Sequence, residues 1–326
     1  MAAIIHRWEA VTRILLDKVD IEAKNNDGIT ALWLAVRGKY TEGSNLLLDR
    51  GASFRVRDKS CKSIIFDAAA MGIRRILTPL LLEDHEDINS KDENGRTPLW
   101  HLCSCQDQDC VNWFLELGPN TNLQSIDGAS LFHKAAQEGN VKVLRYLCER
   151  KTATTPTDGK DNSLHTPLWL AADFGDKSCV DMLLRQNANA DAQNNKKISV
   201  LHQAVNKRHL NIVELLLYGP KDDQNKLTAE TGAGISETNV MQSQYCPPDI
   251  NTKDIDGRSP LIKAVIDGSL EIVNLLLRSP ERGKLRFDGV DGQGDSELGR
   301  AAYGNCLEIV EALLNAGASI NLQKKK

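Results

Sequence analysis

One unit returns along the chain at a near-constant interval, and that interval limits the possible folds more than any other feature. In its fullest form it reads Asp256-Gly257-Arg258-Ser259-Pro260-Leu261, then Lys263-Ala264-Val265, then Leu270-Glu271-Ile272-Val273-Asn274-Leu275-Leu276-Leu277. The Asp-Gly pair makes a tight turn, because glycine accepts positive φ and aspartate bonds its own backbone. Ser259 suits an N-cap, and Pro260 suits the first helical position, where a missing N–H costs nothing. Leu261 and Ala264 share a face, and Leu270, Val273, Leu276 and Leu277 recur at helical spacing. Copies start at residues 27, 60, 94, 127, 163, 196, 256 and 293, separated by 33, 34, 33, 36, 33, 60 and 37 residues. A turn and two helices at this period specify a solenoid in which each copy contacts only its neighbours.

Several copies share further residues: Thr97-Pro98-Leu99, Thr166-Pro167-Leu168, Val200-Leu201-His202-Gln203-Ala204 and Leu313-Leu314-Asn315-Ala316-Gly317-Ala318. With these the unit resembles the ankyrin repeat, and the resemblance covers essentially residues 8–323. It implies an all-α ankyrin-repeat solenoid of stacked helix–turn–helix units with β-turn fingers. The expected organisation is an N-terminal half-repeat over 1–26 and repeats one to six over 27–219. A polar insertion follows over 220–249, then the end of repeat six with repeats seven and eight over 250–323, and a basic tail over 324–326. Repeat two departs from the pattern. Ser60-Cys61-Lys62 stands where others carry Asp-Gly-x, and Pro79 should kink or shorten the start of its second helix.

Net charge is −4 over 326 residues, which argues against a general nucleic-acid binder, whose footprint is a basic excess. The one dense basic run, Lys324-Lys325-Lys326, has too few charges to anchor a membrane alone. No stretch approaches the roughly 18 apolar residues of a membrane span, and the first residues lack the build of a secretion signal. Eight scattered cysteines without a framework read as reduced thiols, so the expected location is intracellular, cytoplasmic or nuclear. The chain begins mid-unit, and its last helix, Leu307 to Leu314, resembles an internal one. Ends of a solenoid normally carry polar caps, so the reading is a segment of a longer protein or an array with imperfect caps.

The resemblance also implies which side chains line the concave groove. Where the family favours histidine for a structural bond between loops, His133 and His202 conform, while Trp33, Trp100 and Trp169 replace it. Those tryptophans are either packing residues or aromatic anchors for a partner. Asp67, His101 and Lys134 occupy one groove row, with Arg37 and Asp173 in a second row. Lys263, Arg300 and Tyr303 make a more basic patch toward the far end. Three further motifs carry weaker signals. His101, Cys103, Cys105 and Cys110 have zinc-ligand chemistry, but their register places Cys103 and Cys110 in the core, so no metal is expected. Asp288, Asp291 and Asp295 lack calcium-loop spacing. The insertion with Tyr245-Cys246-Pro247-Pro248 is either a loop or an element covering the groove.

The function expected from these features is a protein–protein interaction scaffold that binds an unidentified protein partner on the groove and turn tips, without a cofactor. Rigid stacking would present the groove with little ordering entropy left to lose. The alternative is an unusual enzyme or small-molecule binder, with Asp67, His101, Lys134 and Asp173 as candidate catalytic groups beneath residues 220–249. Of the two, the non-catalytic reading is preferred, because a pocket of that kind needs a deeper concavity than the groove the resemblance implies.

Overall fold

The computed structural model describes residues 1–83, 87–105, 107–149, 157–220, 245–280, 284–287 and 289–320. The central part of the insertion (221–244), Asp288 and the basic tail lie outside the described residues. Among the described residues the regular elements are eighteen α-helices, with no strand longer than an isolated bridge. The chain divides into two compact units, Met1–Asp127 and Gly128–Lys326.

In the first unit the helices alternate between two layers. The inner layer holds α1 (Ala2–Ile5), α3 (Ala31–Arg37), α5 (Ile65–Met71) and α7 (Pro98–Leu102). The outer layer holds α2 (Glu9–Leu16), α4 (Thr41–Asp49), α6 (Arg74–Leu82) and α8 (Gln108–Glu116). Successive inner helices pack on one another, α1 on α3, α3 on α5 and α5 on α7. The second unit repeats the scheme. Its inner helices are α9 (Leu131–Gln137), α11 (Pro167–Phe174), α13 (Val200–Asn206), α15 (Pro260–Ile266) and α17 (Glu297–Tyr303). Its outer helices are α10 (Val141–Glu149), α12 (Lys177–Arg185), α14 (Leu210–Tyr218), α16 (Leu270–Arg278) and α18 (Leu307–Ala316). Helices this short are marginal alone, so each is held by its buried face. Leu32, Ile65, Leu99, Leu168, Leu201 and Leu261 are all fully or almost fully buried.

The inner helices start as their sequences dictate. The hydroxyls of Thr30, Thr97, Thr166, Ser199, Ser259 and Ser296 each accept from the backbone N–H three residues on. Pro98, Pro167 and Pro260 follow three of these caps. Pro79 does not shorten its helix: α6 begins at Arg74 and runs past the proline to Leu82. The proline falls after the first turn, so its missing N–H removes one intrahelical bond, and burial of Ile76, Leu77, Leu80 and Leu81 holds the segment.

Seven of the turn fingers are built around one Asx side chain, while the finger before α9 carries Ser125 at that position. Asn25, Asp58, Asp92, Asp161, Asn194, Asp254 and Asp291 place an Oδ1 where it accepts from the backbone N–H groups two and four residues on. The residue three after the Asx then takes positive φ. It is glycine in Gly28, Gly95, Gly257 and Gly294, but Cys61, Leu164 and Lys197 occupy the same place with φ near 60°. Asp254→Ala should remove two such bonds and lower stability by about 1–2 kcal/mol. Asp254→Asn, which keeps the acceptor, should lose much less. Denaturation midpoints followed by far-ultraviolet circular dichroism test this pair, and equal losses would show that the carboxylate charge matters instead.

A second set of links joins the loops that follow successive outer helices. Ser53 N–H donates to Glu22, Asn120 N–H to Asn89 and Asn189 N–H to Asp158, each across 31 residues. Asp249 N–H makes the equivalent bond to Asp191 at 2.7 Å, across 58 residues.

Candidate partner-binding surface

In the first unit, the inner helices gather Trp33, Arg37, Asp67, Trp100 and His101. Trp33 has no exposed surface. Its Nε1–H donates to Asp67 Oδ2 at 2.7 Å, and the Arg37 Nε lies 3.6 Å from the same oxygen. Arg37 also stands over the indole, 5.9 Å from its centroid. Asp67 is therefore held from two sides on the layer's surface. His101 Nε2–H donates to Asp92 Oδ2 at 2.9 Å, a direction fixed because a carboxylate only accepts. Its ring meets Phe66 edge-on at 5.7 Å. Burial pulls the His101 pKa below the ordinary histidine value, against the opposing pull of Asp92. Burial would raise the Asp92 pKa, but donors from Arg96, His101 and Asn94 outweigh it and hold the carboxyl below its usual range. Trp100 is mostly buried, with Arg96 over its ring at 5.8 Å.

In the second unit, the tryptophan that replaces histidine does the histidine's work. His133 Nε2–H donates to the His165 carbonyl at 3.0 Å, and His202 Nε2–H to the Arg258 carbonyl at 2.9 Å. Trp169 Nε1–H reaches the equivalent carbonyl, Ile198, at 3.1 Å, and His165 stacks on its indole at 4.1 Å. Trp33 and Trp169 are thus internal donors between neighbouring repeats. The reading of Trp33 as an anchor for a partner is corrected on this point, since a residue with no accessible surface cannot meet a ligand.

The polar candidates of this unit are internally engaged. Asp173 accepts from Gln203 Nε2 and from Lys207 Nζ at 3.1 Å. Lys134 pairs with Glu138, and Lys263 lies 3.4 Å from Asp267. Arg300 donates through Nε to Asp291 Oδ2 at 2.8 Å and lies 3.4 Å from Asp295. The more basic patch expected at Lys263 and Arg300 is therefore neutralised locally. Asp291 and Asp295 serve this finger and its arginine. Tyr303 is different: it is 91% exposed, next to Ile266, 42% exposed, at the same register of the packed helices α15 and α17. Phe174, at the end of α11, is 53% exposed.

Of the proposed zinc-type residues, His101 is committed to Asp92, while Cys103, Cys105 and Cys110 are buried. Burial pushes the Cys110 thiol up to about 12, which keeps it protonated. Two groups escaped the sequence reading. Asp92, the partner of His101, and the other finger Asx residues were readable as an Asx at fixed distance before each turn. The Asp-Gly or Asn-Gly pair that follows in several fingers is the stronger turn signal, because its glycine takes the positive φ.

A family model described as ankyrin repeats (3 copies) matches residues 65–158, 155–229 and 233–324. The chain belongs to the ankyrin-repeat family. Among curated proteins, Inversin of Canis lupus familiaris is 26% identical over 243 residues, covering 70% of this chain and 22% of that protein. Transient receptor potential cation channel subfamily A member 1 of Homo sapiens is 27% identical over 268 residues, covering 77% and 24%. An ankyrin repeat and KH domain-containing protein of Caenorhabditis briggsae is 26% identical over 323 residues, covering 94% and 11%. The chain thus spans about a fifth of the length of the first relatives it matches. Among the described residues of this ankyrin array, no helix is long and apolar enough to cross a membrane.

Proposed function

We propose that this ankyrin array is an interaction scaffold that binds a protein partner on its inner-helix layer and finger tips, within a larger parent protein. The observation that carries this reading is the apolar exposure of Tyr303 and Ile266 on the adjacent inner helices α17 and α15. Tyrosine is a common interface anchor, and neighbouring exposed apolar side chains in register mark a contact surface. The surrounding ion pairs, Lys263 with Asp267 and Arg300 with Asp291, supply a polar rim already held in place. Of the sequence candidates, Arg37, Asp67, His101, Lys134 and Asp173 join this reading as ordered surface polar groups, and Tyr303 as its anchor.

Tyr303→Ala with Ile266→Ala should abolish retention of the partner and leave the melting temperature within a few degrees, because both side chains are exposed. Affinity capture with the wild-type chain identifies the partner, and titration calorimetry against it measures the loss. Undiminished affinity in the double variant would remove this surface from the reading. The expected loss is about 2 kcal/mol or more for a central tyrosine.

A further inference from the structure

Among the described residues, main-chain bonds join each finger to the next within the units, with one exception. Lys59 N–H donates to the Asp27 carbonyl at 3.1 Å, and Ile126 N–H to the Asn94 carbonyl at 2.9 Å. In the second unit, Asn195, Ile255 and Gly292 make the same bond to Ser163, Lys196 and Asp256. The corresponding pair in the first unit, Glu93 N–H and the Ser60 carbonyl, is unmade, and both residues are exposed. At that point a cavity of about 680 Å³ opens between the two fingers. Its floor is the buried ring of Phe66, and its walls carry Arg57 and Lys62 on one side and Asp87, Lys91 and Glu93 on the other. Lys62, Lys91 and Glu93 have no ion-pair partner among the described residues. The Ser90 hydroxyl, also in the lining, is buried without a hydrogen-bond partner.

We propose that the gap between the second and third fingers binds an extended peptide segment of a partner, whose main chain bonds the Glu93 N–H and the Ser60 carbonyl. The inference rests on the interaction reading above and names a second contact for it. Three observations select a peptide. The two open groups are one donor and one acceptor on facing edges, which is what an added strand requires. The cavity volume falls in the range of about 300–1,000 Å³ typical of ligand sites. The lining is balanced in charge, three basic against three acidic residues once Asp92 is included, so it suits a main chain with side chains of both signs better than a free anion. Cys61 stands exposed at the mouth, in the left-handed conformation that glycine takes in other fingers.

The test uses the full chain and peptides selected on it from a random-peptide phage library. Amide hydrogen exchange by NMR reads the Glu93 N–H directly, without any substitution. That amide should exchange fast in the free chain and slow at least about tenfold with a selected peptide bound. N-methylation of the pairing amide in the peptide, and Cys61→Trp in the protein, should each weaken binding about tenfold. Cys246→Trp, an exposed cysteine in the other unit, should leave it unchanged. Bound peptides that leave Glu93 exchange unaltered and tolerate Cys61→Trp would overturn the proposal, and so would a selection that yields no binding peptide. Neither result touches the Tyr303 and Ile266 surface, whose own variant decides it separately.

Discussion

Replacing Trp33 with alanine should destabilise the first unit by about 3–5 kcal/mol, the range for removing a large buried aromatic side chain. The side chain is fully buried in α3, and it is also the donor that fixes Asp67. The alanine variant therefore leaves a cavity and releases a half-buried carboxylate. Trp33→Phe separates the two effects. It keeps most of the ring volume and drops only the N–H, so its loss should be about 1–2 kcal/mol. Urea unfolding of both variants, followed by circular dichroism, checks the ordering. A phenylalanine variant as damaged as the alanine one would mean that the bond to Asp67, rather than the packing, holds α3 against α5.

Stability of the second unit should fall as pH drops from 7 to 5, through His133 and His202. Both rings are buried and neutral. In His202 the Nε2–H donates to the Arg258 carbonyl, so Nδ1 is left to accept from the Ser199 hydroxyl at 2.8 Å. In His133 the Nδ1 accepts from the Ser130 N–H at 3.1 Å and its hydroxyl at 2.8 Å. Burial lowers both pKa values below the ordinary 6.5, although carbonyl acceptors and nearby Asp161 and Asp254 pull the other way. A histidine whose folded pKa is depressed binds fewer protons folded than unfolded. Its stabilisation is complete above the unfolded value near 6.5 and is lost as pH falls toward the folded value. Asp291, whose pKa is also lowered, keeps its contribution above the ordinary carboxylate range and loses it only in more acid solution. The two windows are distinct. His133→Gln with His202→Gln should cost on the order of 2–4 kcal/mol at neutral pH, from the buried bonds lost. It should also flatten the melting temperature between pH 7 and 5. A double variant with the wild-type slope would assign the pH dependence to other groups.

The period and the cap residues were enough to place the inner helices. Ser259 and Pro260, read from sequence as cap and first helical residue, hold those positions at the start of α15. Their information is local, since a hydroxyl and a ring constraint act within one turn. The surface was harder to read. Asp67 and Asp173 stand at positions the family exposes, but whether such a charge is free depends on residues far along the chain. Asp67 is met by Trp33, and Asp173 by Gln203 and Lys207. Those partners lie about one repeat away, and only the stacking brings them together. The fate of the tryptophans was undecided for the same reason. An indole and an imidazole can both donate across a repeat junction, and whether Trp169 does so depends on how close the Ile198 carbonyl lies.

The bonds between the loops after outer helices bear on how the chain can vary. Asp249 reaches Asp191 over 58 residues with the same 2.7 Å contact that Ser53 makes to Glu22 over 31. By the logarithmic law of ring closure, nearly doubling the connection adds only about 0.6 kcal/mol to the entropy of making that contact. The lattice of the array is thus almost indifferent to contour length at this junction. Extra polypeptide can be spliced in there as a side branch while the register on either side continues unchanged, which makes this loop the natural place for such an array to acquire new sequence.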